Sequence, residues 1–397
     1  MTDRADRRGL GPSARALLVM LLMPLAASGA TFKLVWLSPA DDARLERSRL
    51  ERAILGHPAG PAIDALRLAL SDSRLELDAA GVRLDVQAVE VADAQSAKDA
   101  ATRATRDGAV ALLVDLPAAW TLAAAEATPL PVLNVGAADD ELRQARCRRN
   151  LWHLGPSERM RADALAQLLV ARRWSQVLLL TGPTEADRMR AATVQTSMRR
   201  YGLKLVAVRP FKLSADPRER DLANPLLLTR AAGAEHDVVW VVDADGEFAQ
   251  SLPYRTAAPR PVVGDGGLVA LGWSSRYDRY GAPQLSRRLA KSAARRMEAH
   301  DWAAWIGGRL LVAAVLKAPH GPAAAVHQAL AEARVDGSKG VALGLRPWDG
   351  QLRQPLLLGD GQSVVATAPV DGVLHPRDVL DTLGADAAER LCRAREP

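Results

Sequence analysis

The fold of this chain is decided by residues 109–135, which read AVALLVDLPAAWTLAAAEATPLPVLNV. Two short apolar runs, Ala109–Val114 and Pro131–Val135, flank a helix-length segment from Ala118 to Ala127. A continuous apolar run of this length, bounded by turn residues, is typical of a strand buried on both faces. Strands that alternate with helices indicate βαβ units, and hence a parallel sheet.

The same alternation extends on both sides of this stretch. Before it, residues 32–37 and 82–91 are predicted strands, and residues 61–77 and 94–106 are predicted helices. After a polar break at 139–150 the pattern resumes, with predicted strands at 176–181, 203–211, 237–242 and 260–264 and helices at 160–172, 185–201 and 224–232. The sequence therefore predicts an α/β protein with two successive parallel sheets.

The last third of the chain is predicted to be mostly helical, with a terminal hairpin. A long helical region spans 284–318, and we expect an interruption near Gly307–Gly308 because glycine weakens helix interiors. A further helix is predicted at 326–334. Residues 354–358 and 362–366 form an apparent hairpin around Gly359-Asp-Gly361.

The N-terminus has the pattern of a secretory signal. Four arginines (Arg4, Arg7, Arg8 and Arg15) precede the apolar run 16–27, and the small residues Ser28-Gly29-Ala30 follow it. The apolar run is about 12 residues long, too short for a bilayer core that needs roughly 20. We expect residues 1–30 to be removed after Ala30, which places the mature chain outside the cytoplasm.

Composition excludes several classes of protein. The net charge of +6 comes from arginines spread among acids, and aromatic residues make up only 4% of the chain, so a nucleic-acid surface is not expected. The chain contains no G-x-S-x-G, no phosphate-binding P-loop and no paired metal-ligand histidines, so we expect no catalytic residue, no cofactor and no metal site.

The chain has two cysteines, Cys147 and Cys392. In an oxidising compartment they permit one disulfide, which would hold the C-terminal tail against the region of residue 147. Two separate free thiols are the alternative.

Aspartates recur just beyond the predicted strand ends. Asp115, Asp139, Asp243, Asp245 and Asp265 have this position, as do Asp41, Asp42 and Asp140. Ligands of open parallel sheets bind outside the carboxyl ends of the strands, so these acids are candidate ligand contacts. If several point inward, the ligand is cationic, a polyol, or bound with a hard metal ion. The alternative is that each caps the helix that follows.

Several motifs of the second half resemble a known family when taken in order. They are Val242-Asp-Ala-Asp-Gly-Glu-Phe248, Leu252-Pro-Tyr-Arg-Thr256, Pro259–Gly264 with Gly267-Leu268, Trp273, Tyr280–Leu285, Arg296-Met297, Asp301-Trp-Ala-Ala-Trp305, Leu380–Gly384 and Cys392. The chain resembles type I periplasmic binding proteins of the branched-chain amino-acid-binding family. It is most similar to the subfamily of ABC-transporter substrate-binding proteins found with pyrroloquinoline-quinone (PQQ)-dependent alcohol dehydrogenase systems.

This resemblance implies two Rossmann-like lobes that are joined by a three-segment hinge and close on a small ligand. Lobe one would comprise residues 31–149 and 275–322, lobe two residues 150–272 and 323–375, and a C-terminal tail residues 376–397. The implied partner is a membrane permease, the implied compartment is the periplasm, and the protein is expected to be a monomer. Two alternatives are a binding protein that delivers a metal ion or a quinone to the dehydrogenase, and an enzyme of the same pathway.

The resemblance also places the candidate ligand contacts. From lobe one they are Asp115, Gly136, Ala137 and Asp139, and from lobe two Trp152, Thr181, Asp243, Asp245 and Asp265. For Trp152, packing in a core is the alternative. Amino-acid binders of this fold hold the ligand carboxylate with Ser or Thr hydroxyls in the loops that here read Asp115–Ala119 and Gly136–Asp139, which contain none. An ordinary branched-chain amino acid is therefore not the expected ligand.

Overall fold

The computed structural model describes residues 1–2, 30–231, 235–372 and 374–396. The predicted signal peptide falls almost entirely on residues 3–29, outside the described residues. Among the residues that are described, no helix combines the length and the apolar character needed to cross a bilayer.

Fourteen strands occur in the described chain. They are β1 (Ala30–Pro39), β2 (Val82–Val91), β3 (Ala109–Val114), β4 (Val132–Asn134), β5 (Leu151–His153), β6 (Gln176–Thr181), β7 (Lys204–Pro210), β8 (Val238–Val242), β9 (Val262–Gly264), β10 (Val269–Leu271), β11 (Arg334–Asp336), β12 (Ala342–Gly344), β13 (Leu356–Gly359) and β14 (Val364–Ala368).

Twelve α-helices accompany these strands in the same part of the chain. They are α1 (Arg47–Arg52), α2 (Ile63–Asp72), α3 (Arg74–Ala79), α4 (Ala94–Arg106), α5 (Ala118–Glu126), α6 (Glu158–Ala171), α7 (Glu185–Arg200), α8 (Pro225–Leu228), α9 (Glu247–Ser251), α10 (Ala282–Ala293), α11 (Ala299–Lys317) and α12 (Ala323–Glu332).

Two separate parallel sheets form, which confirms the predicted α/β class. The first has the strand order β2-β1-β3-β4-β5 and the second the order β7-β6-β8-β9. Alternate residues of β1 enter different apolar clusters: Leu34 and Trp36 pack on one face of the first sheet, Val35 and Leu37 on the other. This alternation follows from the two-residue period of a strand and leaves both faces covered by helices.

The predicted interruption of the last helical region at Gly307–Gly308 is wrong. The break lies between α10 and α11, and both glycines are buried inside α11. A Cβ on Gly307 would lie 2.6 Å from Leu154, and one on Gly308 would lie 2.7 Å from the Cβ of Ala69. The glycines therefore let α11 pack closely against its neighbours, at some cost in helix propensity.

The assignment of residues to lobes also differs from the sequence-based boundaries. Strand β5 pairs with β4 in the first sheet. Helix α12 packs against α11 and β3, and β11 packs against α11, so residues 323–344 lie with the first sheet. Strands β13 and β14 form a hairpin, as predicted around Gly359-Asp-Gly361, and β13 also pairs with β10 beside α6.

The chain accordingly passes between the two halves at residues 154–157, 272–281 and 345–355. The end of β5, just before the first of these segments, is joined to the third by backbone hydrogen bonds, from the His153 N–H to the Gly350 carbonyl (2.9 Å) and from the Leu352 N–H to the His153 carbonyl (2.8 Å). The tail is fixed nearby, because Cys147 and Cys392 are joined by a disulfide. The Arg395 guanidinium also donates to the Leu151 carbonyl at 2.7 Å.

Candidate ligand-binding cleft

A cavity of about 790 Å³ lies between the carboxyl ends of the two sheets. On the first-sheet side it is lined by the loops that follow β1, β3 and β4. On the other side it is lined by the residue after β9 and by α6 and α7. Parallel strands of both sheets thus end at the same space, where open α/β sheets bind their ligands.

The loop after β4 is held in a fixed shape at the cavity wall. The Asn134 side chain donates to the Ala137 carbonyl (2.7 Å) and accepts from the Ala137 N–H (2.9 Å). The buried Arg143 guanidinium donates to the Ala137 and Asp139 carbonyls. A Cβ on Gly136 would lie 2.5 Å from an Asp115 oxygen, so the close approach of these two loops requires glycine.

A charged triad stands on the first-sheet wall. Arg44 Nη2 donates to Asp42 at 2.7 Å, and its Nη1 donates to Asp115 Oδ1 at 2.9 Å. Although burial opposes ionisation, the hydrogen bonds and charge of Arg44 lower the pKa of Asp42. Asp115 lies behind Arg44 and does not line the cavity itself.

A second triad of the same composition stands on the opposite wall. Arg190 Nη2 donates to Asp265 Oδ1 at 2.5 Å, and its Nε donates to Glu158 at 3.2 Å. The other oxygen of Asp265 accepts the Asp243 N–H at 2.8 Å. Each triad joins one guanidinium to two carboxylates, so each is formally one charge negative.

Two cavity-lining side chains have a buried nitrogen without a hydrogen-bond partner among the described residues. They are His300, through Nδ1, and Arg161, through Nε. Burial lowers the pKa of His300 to about 4, so its imidazole is neutral at neutral pH. A neutral imidazole has one donor and one acceptor nitrogen, which leaves it able to bond a ligand.

Four of the nine candidate ligand contacts line this cavity: Gly136, Ala137, Asp139 and Asp265. Asp115 supports it through Arg44. The structure places the other four, Trp152, Thr181, Asp243 and Asp245, outside the cavity lining.

Each of those four makes contacts within the fold. The Asp243 carboxylate accepts the Ala249 N–H at 2.9 Å in the first turn of α9, although the N-cap of that helix is Gly246. Asp245 pairs with Arg49. Thr181 Oγ1 lies 3.4 Å from the Gly182 carbonyl.

Trp152 is a core residue, the alternative considered above. Its Nε1 donates to His327 at 3.2 Å, and the Arg395 guanidinium lies 4.0 Å from its ring centroid.

A segment of the first half reaches the second half across the space between them. In α1, Arg49 donates to Asp245 at 2.6 Å, and Arg52 lies 3.4 Å from Glu247. Gln250 donates to the Arg52 carbonyl at 3.0 Å. On the far side of this segment lies a second cavity of about 1040 Å³. We call residues 47–58 the strap.

The arginines and histidine of the cleft were missed by sequence reasoning. Arg44 and Arg49 are among the arginines that the sequence spreads between acids, and His300 is a single histidine in a helical region. Their partners lie far away in sequence: Arg44 pairs with Asp115 across 71 residues and Arg190 with Asp265 across 75. The only local signal was the Asp41-Asp42 pair after the first strand. No group of three or more metal-ligating side chains occurs in the described part of the chain.

No protein-family model matches this chain, and no curated protein matches it in sequence. Its structure is similar to solved periplasmic binding proteins. The leucine-, isoleucine-, valine-, threonine- and alanine-binding protein from Brucella ovis in its closed conformation superposes with a TM-score of 0.68 at 13% identity, over 84% of this chain and 90% of that one.

Two further structures of this kind bind aromatic acids. An R. palustris solute-binding protein in complex with benzoate has a TM-score of 0.63 at 15% identity, over 85% and 95% of the two chains. A Rhodopseudomonas palustris BisB5 solute-binding protein in complex with 3,4-dihydroxybenzoic acid has a TM-score of 0.65 at 14% identity, over 85% and 97%. The chain therefore has the type I periplasmic-binding-protein fold. Its structural neighbours are solute-binding components of ABC transporters.

Proposed function

We propose that this chain is the solute-binding component of an ABC transporter and holds a small ligand between two lobes without altering it. The observation that carries this proposal is the cavity of about 790 Å³ at the meeting point of both sheets, with polar side chains from each half. Its volume suits one small organic molecule.

The proposal includes a hinge and a partner. Lobe one would comprise residues 31–153 and 282–344, lobe two residues 158–271 and 356–375, and the crossing segments would absorb the closing rotation. The closed, loaded form would be the one that a membrane permease recognises. Cleavage after Ala30, a periplasmic location and a monomeric state belong to the same proposal.

A narrower proposal links the transporter to PQQ-dependent alcohol oxidation. It rests on the motifs between Val242 and Trp305 and on the tail motif, which resemble that subfamily. A deletion of the gene tests it: growth on a primary alcohol should slow, while growth on succinate should not. Equal growth of the deletion strain and its parent on both carbon sources would refute this link and leave the binding proposal intact.

The binding proposal is tested with two tryptophan variants on one helix. Ala186 and Ala192 are both exposed alanines of α7, but only Ala186 lines the cavity. A panel of amino acids, aromatic acids, sugars and amines is first screened by thermal shift, since a ligand stabilises by RT ln(1 + [L]/Kd).

We expect at least one solute to raise the Tm in a saturable manner. Ala186→Trp should abolish that shift by filling the cavity, and Ala192→Trp should retain it. If no solute stabilises the protein, or if Ala186→Trp binds as well as the native chain, the cleft is not a binding site.

A further inference from the structure

The walls of the cleft carry an excess of negative charge. Seven carboxylates line the cavity against four guanidinium groups. The two histidines of the lining do not offset this negative charge, because burial lowers the pKa of both His57 and His300. At neutral pH the lining is therefore formally three charges negative.

The arginines of the lining already face carboxylates. Arg44 and Arg190 each contact two of them, and Arg49 is paired with Asp245. Arg161 is held less closely, since it lies 4.0 Å from Glu158 and its buried Nε has no hydrogen-bond partner among the described residues. A ligand carboxylate at these arginines would compete with fixed carboxylates and would add like charge beside them.

Some of the carboxylates, by contrast, form no ion pair, although the buried Arg143 is close enough for its charge to act on Asp139 and Asp140. Asp41, Asp139 and Asp140 form no ion pair with any described residue, and all three line the first-sheet side of the cavity. Asp140 accepts hydrogen bonds only from neutral groups, the Arg159 backbone N–H (3.1 Å) and the Thr193 hydroxyl (3.2 Å). These carboxylates can accept hydrogen bonds from a cationic donor.

Two independent features of the same cavity suit a cationic ligand. The buried Nδ1 of His300 has no partner among the described residues, and a neutral imidazole can accept a hydrogen bond from an ammonium group. The half-buried Trp120 also lines the cavity, and the face of an indole ring attracts cations.

We propose that the ligand of this cleft is a small organic cation, a primary amine or a guanidine with an apolar body, and not a carboxylate. The proposal rests on the function proposed above and names the ligand class of that site. It also separates this chain from the structural neighbours whose ligands are benzoate and 3,4-dihydroxybenzoic acid.

The test uses pairs of probes that differ in charge and share a body. Purified mature protein is titrated calorimetrically with benzylamine and benzoate, with agmatine and butyrate, and with leucine. We expect saturable binding of benzylamine, agmatine or both, at least tenfold tighter than binding of the matched acid.

Two charge-removing variants localise the effect. Asp139→Asn removes an unpaired carboxylate of the cavity, and Asp99→Asn removes an exposed carboxylate of α4 that lies outside it. Affinity for the amine should fall at least tenfold in the first variant and change less than twofold in the second.

Three outcomes would overturn the inference. They are tighter binding of the acid than of its matched amine, binding of divalent metal ions only, and an unchanged amine affinity in Asp139→Asn. Saturable binding of leucine or benzoate alone would contradict the proposed cationic ligand class but would support the solute-binding function. If neither these probes nor any solute of the wider panel binds in a saturable manner, both the ligand class and the solute-binding function are contradicted.

Discussion

The molecule contains two kinds of arginine–carboxylate network, one at the cleft and one at the C-terminal tail. In the tail network, Arg346 has no exposed surface and donates to Asp381 at 2.8 Å and to the Leu380 and Leu383 carbonyls. Arg353 donates to both oxygens of the same Asp381. In the cleft, the Arg44 side chain remains 29% exposed and faces open volume.

The difference lies in what surrounds the charges. The tail network is enclosed by protein, so its role is to fix the tail against the crossing segment at 345–355. The cleft triads are formed by the same residue types, but they stand beside a cavity. The surroundings of an ion network, and not its composition, therefore separate a structural role from a binding role.

The largest effect is expected when the tail network is broken. Arg346→Met leaves Asp381 and Asp349 buried without this cation, and removing one partner of a buried pair costs about 3–5 kcal/mol. Urea denaturation followed by circular dichroism measures the loss. Binding of the cleft ligand by the folded fraction should be unchanged.

Arg44→Met is the matched change at the cleft. We expect a stability loss less than half as large, because this network is partly hydrated, together with weakened ligand binding. Equal losses of stability in the two variants would contradict the distinction between the networks.

An intermediate effect is expected from His300 as pH changes. Its folded pKa of about 4 lies below the unfolded value, so between about pH 4 and 6.5 the unfolded chain binds a proton that the folded chain does not. Stability should therefore rise with pH through that window, by on the order of 3 kcal/mol from this group.

His300→Gln should flatten this part of the stability–pH curve, measured as the difference from the native chain at each pH. His320→Gln is the control, because it changes a histidine outside the cavity lining. Parallel curves for the native chain and His300→Gln would show that His300 is not held neutral by its surroundings.

The smallest effect is expected at the strap. The side chains of the Arg49–Asp245 pair are 29% and 43% exposed, and exposed pairs contribute about 0.2–1 kcal/mol. Arg49→Met should lower the free energy of unfolding by this amount at low salt and by less at high salt, since salt screens exposed charges. Arg47→Met, at an exposed pair within α1, is the control and should have a still smaller effect. A loss above about 2 kcal/mol would contradict this prediction, because the Arg49–Asp245 pair would then contribute as much as an enclosed pair.

Much of the fold followed from local pattern. Apolar runs such as Ala109–Val114 and the helices between them were sufficient to predict two parallel sheets in order. The Gly307–Gly308 error arose because glycine lowers helix propensity locally, whereas α11 uses both glycines for close packing. Helix α12 packs against α11 and β3, a contact that its amphipathic pattern alone does not specify.

The candidate site was predicted less completely. The loop from Gly136 to Asp139 and the position of Asp265 followed from the rule that ligands bind at the carboxyl ends of parallel strands. Asp243 also follows a strand, but its carboxylate bonds to the first turn of α9 and does not line the cavity. The sequence alone does not distinguish these two kinds of position after a strand. Apart from the Asp41-Asp42 pair after the first strand, no local signal pointed to the arginines that pair with these acids.

The sequence by itself determined the α/β class, the two successive sheets and the edge at which their strands end, because strand and helix periodicities are local properties of the chain. Only the tertiary structure decided which charges meet in the cleft and which are enclosed beside the tail. Those pairings join residues far apart in the chain, and an ion pair depends on distance and on access to water, neither of which local sequence encodes.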